Sequence, residues 1–128
     1  MSFQIDLSSG LIILPTKITG LKSQVLINLA VDTGASKTMI NWDILVLIGY
    51  DPAIVKERIQ MTTGSSIEYV PIIEVDEIEA IGIIKKGMLV LCHTLPPSAT
   101  VDGVLGLDFF RGYKLAIDFN KGIIDIDQ

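Results

Sequence analysis

Val31-Asp32-Thr33-Gly34-Ala35-Ser36 is the segment of this 128-residue chain whose residue types best fit chemistry. An apolar run, Val25 to Val31, delivers a carboxylate into a turn of small residues. Small side chains leave open space beside Asp32 and free backbone N–H groups to point at it. An accessible carboxylate held in this way can take a proton from water, or hold one against a carbonyl. The structural alternative is an Asx-turn, in which Asp32 only caps its own backbone.

Other candidates carry less. Cys92-His93 suggests a dyad or a metal site, but neighbours on a strand face opposite ways, and the chain has no second Cys or His to complete either. Gly103-Val104-Leu105-Gly106 lacks the third Gly and the long following helix of a dinucleotide fingerprint, and reads as tight packing. Asp76, Glu77 and Glu79 read as a solvated acidic turn, with weak cation binding as the alternative, and Lys85-Lys86 as a hairpin tip. Trp42, Phe109, Phe110 and Phe119 read as core aromatics, Trp42 alternatively as a pocket wall. No metal and no cofactor are expected.

The elements that must position Asp32 are strands. Gly, Pro and Asn punctuate the chain about every eight to twelve residues, and the segments between are rich in Ile and Val. Strands are predicted over Leu11 to Leu14 and Val25 to Val31, the second alternating so that Asp32 stands at its end. A short helix is predicted over Asn41 to Ile48, with Asn41 as N-cap and Gly49 as the stop. Glu57 to Thr63 and Ile67 to Val75 form a hairpin with a polar tip at Gly64-Ser65-Ser66. Glu77 to Ile84 pairs with Gly87 to His93, and Pro96-Pro97 ends that pairing. Val101 to Leu107 is a strand, Asp108 caps a helical turn through Arg111, and Leu115 to Phe119 pairs with Ile123 to Ile126. The fold class is all-β, a closed β-barrel-like subunit with one or two short helices, forming a single domain over 1–128.

Composition narrows the function classes. With 49% apolar residues the chain is not disordered, and its length suits one core burying about two thirds of the unfolded surface. A formal charge of −5 and a pI near 4.6 argue against nucleic acid, whose phosphates are bound by clustered Lys and Arg. The lone cysteine, Cys92, cannot form an intramolecular disulfide, so a cytoplasmic setting is expected. The N-terminal residues lack a basic run, and Leu11 to Leu14 is too short for a membrane span, so no membrane partner is expected.

Two ordered motifs carry a resemblance. Ala30-Val31-Asp32-Thr33-Gly34-Ala35-Ser36-Lys37-Thr38-Met39-Ile40 resembles the catalytic loop of the retropepsin-like aspartic proteases, and Val101-Asp102-Gly103-Val104-Leu105-Gly106-Leu107-Asp108-Phe109-Phe110 resembles their apolar-apolar-Gly strand running into a short helix. The tip at Thr62-Thr63-Gly64 lies between them, where that family keeps its flap, and Ala116-Ile117-Asp118-Phe119 resembles its closing strand. The sequence departs from the retroviral pattern at Leu107-Asp108, where many members carry an Arg that supports the dimer, and its flap is poorer in Gly.

The resemblance implies a homodimeric aspartic endopeptidase. Two carboxylates about 3 Å apart share one proton, so one can act as base on water while the other polarises the scissile carbonyl; aspartic proteases are the standard illustration of this. One Asp-Thr-Gly per chain supplies half of that pair, which implies a C2 homodimer with its axis beside Asp32, acting on an extended peptide or protein substrate. Asp32 is the implied catalytic carboxylate and Thr33 the residue that holds the loop against its symmetry mate. Gly34 admits the substrate backbone, Ala35 and Ser36 complete the loop, and Thr63, Gly64 and Ser65 form the flap. The terminal strands, including Gly122 to Ile126, are the implied interface. Two other readings remain open: an inactive or weakly active module of the same fold that binds peptides or dimerises, and a monomeric barrel holding a small apolar ligand.

Overall fold

Leu14, Thr16 and Ile18 point inward along one strand while Pro15 between them is exposed, and this period-two pattern recurs around the molecule. The computed structural model describes residues 1–62 and 64–128 in full, and Thr63 by its strand assignment alone. The order of elements is β1 (Ser2–Gln4), β2 (Ile13–Thr19), β3 (Gln24–Val31), β4 (Met39–Asn41), α1 (Trp42–Leu47), β5 (Arg58–Thr63), β6 (Ser66–Ala80), β7 (Ile83–His93), β8 (Gly103–Leu105), α2 (Leu107–Phe110), β9 (Lys114–Asp118) and β10 (Ile123–Asp127).

Six strands close into a barrel in the order β2-β3-β8-β4-β7-β6, and β6 returns to β2 through Lys17↔Glu79 to Thr19↔Glu77. Closure leaves no open edge within the ring. Leu14, Ile18, Leu29, Ile40, Val75, Ile78, Ile83, Leu105 and Phe109 fill it with no exposed surface. β5 hangs outside the ring on the first half of β6, with Thr63↔Ser66 bracketing a two-residue turn at Gly64-Ser65. Gly64 there has φ +55, as the first central residue of a II′-type turn requires. A separate three-stranded sheet, β1-β10-β9, is built from the two ends of the chain.

The all-β barrel with two short helices is as read from the sequence, and α1 starts as expected, with the Asn41 side chain accepting from the Asp43 N–H at 3.4 Å. Four local readings are corrected. The β6–β7 turn is Ile81-Gly82, both at positive φ (46° and 79°), and not Lys85-Lys86, which lie within β7 opposite Ile78 and Glu77. Burial of Ile81 in the core outweighs the poor fit of a β-branched residue to that backbone. Asp76, Glu77 and Glu79 are therefore strand residues, with Glu79 Oε1 3.4 Å from Lys17 Nζ and the Asp76 N–H donating to Tyr50 Oη at 3.0 Å. Phe119 is 68% exposed rather than core, because β9 ends just before it. Gly106, not Asp108, occupies the N-cap of α2.

β1 and β4, each three residues long, carry too little pattern to be read from sequence. β10 is paired on both sides within its own chain, so interleaving Gly122 to Ile126 with a partner would require one of these ladders to open. Among the described residues no helix is long and apolar enough to cross a membrane.

Candidate active site

The Asp32 loop sits in a fork. β8 runs between β3 and β4, parallel to β3 (Ala30↔Val104, Val31↔Leu105) and antiparallel to β4 (Met39↔Val104, Ile40↔Gly103), so residues 32–38 must cross from one side of β8 to the other. The crossing is tied down at each step. The Asp32 N–H donates to Leu105 O at 2.9 Å, the Ala35 N–H to Asp32 O at 3.1 Å, and the Leu107 N–H to Ala35 O at 2.9 Å. The Gly34 N–H donates to Asp32 Oδ1 at 2.9 Å, so the Asx-type turn is present. It orients the carboxylate without burying it, since Asp32 is exposed. A Cβ on Gly34 would lie 3.2 Å from that same oxygen, so a larger residue there would crowd the carboxylate.

Thr38 is the centre of the loop's support, and the sequence reading passed over it. It is wholly buried. Its hydroxyl donates to Asp108 Oδ1 at 2.8 Å and accepts from the Gly106 N–H at 3.1 Å, while its own N–H reaches both Asp108 oxygens at 3.0 Å. Gly106 lies flat against the loop, where a Cβ would meet Lys37 C at 2.7 Å and Ala35 O at 2.8 Å. Gly103 has φ +151, and a Cβ there would come within 2.0 Å of Met39 O. The glycines of Gly103-Val104-Leu105-Gly106 are thus packing residues, as the sequence suggested. The signal that could have found Thr38 is a lone polar residue at a position that must enter the barrel.

Asp32, Gly34, Ala35 and Ser36 line one cavity of about 450 Å³ with Lys37, Met39, Ile59, Gln60, Met61, Leu91 and Val104. One wall is the loop and the other is β5, so the cavity is an apolar cleft with a carboxylate at its mouth. Thr33 is exposed and outside that lining. Gly64 and Ser65 are exposed at the hairpin tip beyond it, and the Thr63 side chain falls outside the described residues.

Cys92 is 1% exposed, and His93 is half-buried with its Nε2 2.9 Å from Glu68 Oε2. Burial pushes the Cys92 thiol up to about 11, with the Arg58 charge pulling weakly the other way, so it is no nucleophile near neutrality. Trp42 is half-buried and lines a separate cavity of about 590 Å³ with Arg58, Glu68, Tyr69, Cys92 and His93. Among the described residues no group of three or more His, Cys, Asp or Glu could hold a metal ion.

The fold of the chain is similar to that of a solved structure. The retropepsin-like aspartic protease from Rickettsia conorii, seen in a crystal structure, superposes with a TM-score of 0.74 over 99% of this chain and 88% of that one, at 20% identity. At that identity the likeness is one of fold. No curated protein matches the chain in sequence. The family described as "gag-polyprotein putative aspartyl protease" matches residues 18–112, which take in the Asp32 loop, the β5–β6 hairpin, β8 and α2. The chain therefore belongs to that family of retropepsin-like aspartyl proteases.

Proposed function

We propose that this protein is a homodimeric aspartic endopeptidase, 1–128 forming one protease domain, in which water is activated between two Asp32 carboxylates, one from each subunit. The observation that carries the reading is Asp32 itself, exposed and oriented by the Gly34 N–H at the mouth of an apolar cleft, with no second carboxylate among that cleft's lining residues. A single chain holds half a dyad, and the open face beside Asp32 and Thr33 is where the other half enters. In the dimer one carboxylate is ionised and takes a proton from water; the other, protonated, donates to the scissile carbonyl oxygen. Thr33, exposed and without a side-chain hydrogen bond among the described residues, holds the two loops together.

Met39, Ile59, Met61, Leu91 and Val104 form the apolar walls for substrate side chains, and the β5–β6 hairpin, with Thr63, Gly64 and Ser65 at its tip, closes over the peptide as a flap. The substrate is an extended peptide or protein segment. A cytoplasmic setting belongs to the same reading and rests on the lone, buried Cys92.

The test is cleavage of a random peptide mixture by the wild type and by Asp32→Asn across acid pH. Activity is expected to be bell-shaped on the acid side of neutrality, because at higher pH both carboxylates ionise and the acid partner is lost. Asp32→Asn should cut nothing while folding normally, since the Asn Oδ1 keeps the bond from the Gly34 N–H. Wild type that cuts nothing, and ignores a transition-state mimic bearing a hydroxyl at the scissile position, would leave the peptide-binding module in its place.

A further inference from the structure

Lysines that leave open water in this fold find a partner, with one exception. Lys22, Lys56, Lys86, Lys114 and Lys121 are exposed, while Lys17, Lys37 and Lys85 are half-buried. Lys17 Nζ stands 3.4 Å from Glu79 Oε1. Lys85 donates to Arg111 O at 2.9 Å, with its ammonium 5.5 Å from the centre of the Tyr113 ring. Lys37 has neither kind of partner. The ion pairs among the described residues are those of the Met1 amino group, Lys17 and His93, and no hydrogen bond among them reaches the Lys37 ammonium.

Lys37 lines the cleft of about 450 Å³ that contains Asp32. It is the one cation in that lining and Asp32 the one anion; the other residues are apolar or uncharged. The backbone at Lys37 is fixed on both sides. The Thr38 N–H is held by Asp108, Thr38 O accepts from the Leu91 N–H at 2.9 Å, and the Lys37 carbonyl lies against Gly106. The side chain therefore starts from a set point on the cleft wall, where its stem can follow apolar surface and its charge stays at the edge. A cation held beside apolar surface attracts an anion more strongly than one in bulk water.

We propose that Lys37 selects the substrate: its ammonium pairs with the carboxylate of an Asp or Glu side chain beside the scissile bond. The substrate class is then an extended peptide segment that is acidic where it passes Lys37 and apolar where it meets Met39, Ile59, Met61, Leu91 and Val104. The proposal rests on the dimeric protease reading, and the two-fold axis of that reading puts one Lys37 on each side of the scissile bond, so acidic residues are favoured on both sides. A Lys or Arg at the same positions is repelled, and specificity comes as much from that rejection as from the attraction. The chain as a whole carries a charge of −5, which opposes acidic peptides in general. The preference is thus confined to the positions that reach Lys37.

A random peptide mixture at about pH 5, where Asp and Glu side chains of a peptide are ionised, tests this in two arms. One arm reads the sites cut by the wild type, the other the peptides retained by Asp32→Asn, both by mass spectrometry. Asp and Glu are expected over Asn and Gln by about five- to tenfold at one position on each side of the cut, with Lys and Arg depleted there. Lys37→Met should bring that ratio to about one, and Lys37→Glu should turn it towards Lys and Arg. The ratio is read within each variant, so a general loss of activity does not distort it. Raising salt to about 0.5 M should at least halve the wild-type enrichment, which tests charge pairing without any substitution. Circular dichroism confirms folding, and if Lys37→Met unfolds, Lys37→Glu and the salt series still decide.

A wild-type profile without acidic enrichment overturns the proposal, as does an acidic preference that Lys37→Met or high salt leaves intact. Acidic peptides retained by Asp32→Asn, with no cleavage by the wild type, overturn the protease and keep Lys37 as a selector of peptides. Cleavage without an acidic preference overturns the role of Lys37 and keeps the protease. Neither retention nor cleavage overturns both.

Discussion

Replacing Thr38 by Val keeps its volume and removes its hydroxyl, which isolates the bonds that hold the Asp32 loop to β8 and α2. Two terms follow from the geometry. The hydroxyl donates to the Asp108 carboxylate at 2.8 Å, and a bond to a charged acceptor contributes about 1.5–3 kcal/mol. It also accepts from the buried Gly106 N–H, which would be left without an acceptor at a cost of about 1–3 kcal/mol. Asp108 is only half-buried and keeps both bonds from the Thr38 N–H, so the lower half of each range applies. The sum is about 3 kcal/mol, and at an m-value of about 2 kcal/mol/M it lowers the urea midpoint by about 1.5 M.

Thr38→Ser is the companion variant. It keeps the hydroxyl and loses one buried methyl, at about 1 kcal/mol. Urea unfolding followed by circular dichroism should therefore rank wild type above Thr38→Ser, and Thr38→Ser above Thr38→Val by about 2 kcal/mol. If Thr38→Ser proves as costly as Thr38→Val, packing rather than hydrogen bonding holds this position, and the account of the loop is wrong.

Gly106→Ala should cost about 2–3 kcal/mol in the same assay, since its Cβ would press on backbone atoms at 2.7–2.8 Å, while Gly10→Ala, with nothing within 4 Å, should be near neutral; equal effects would refute the close-approach argument. Gly64→Val meets open space but must hold φ +55, so it should cost about 1–2 kcal/mol and lower peptide turnover by more than stability alone explains; unchanged kcat would argue against a closing hairpin. Cys92 has its native thiol raised to about 11 from 9.0, so the folded chain keeps a proton that the unfolded chain releases between those values. Its contribution to stability is complete below pH 9 and is lost as pH rises towards 11. Urea midpoints at pH 8 and 10.5 should fall further for wild type than for Cys92→Ala, and parallel declines would contradict the assignment.

Local chemistry was legible wherever neighbours in sequence decide the outcome. The Asp-Thr-Gly turn, the Asn41 cap and the glycine at the hairpin tip depend on residues two or three positions apart, and each stands where its residue types indicate. The alternation that makes β3 a strand is equally local, because a side-chain period of two can be read from a single segment, whereas β2, expected over Leu11 to Leu14, runs over Ile13–Thr19. The ring of six strands is a matter of pairing between segments far apart in sequence, and only the folded chain chooses those partners. β8 between β3 and β4 is such a choice, and it gives Thr38 and Asp108, 70 residues apart, their roles in holding the Asp32 loop. Tertiary burial also overrode local preference at Ile81, where insertion into the core sets a turn that residue types place at Lys85-Lys86. That β10 is paired on both sides within its own chain was likewise decided only by the folded chain, because an edge exists only once its neighbours are assigned.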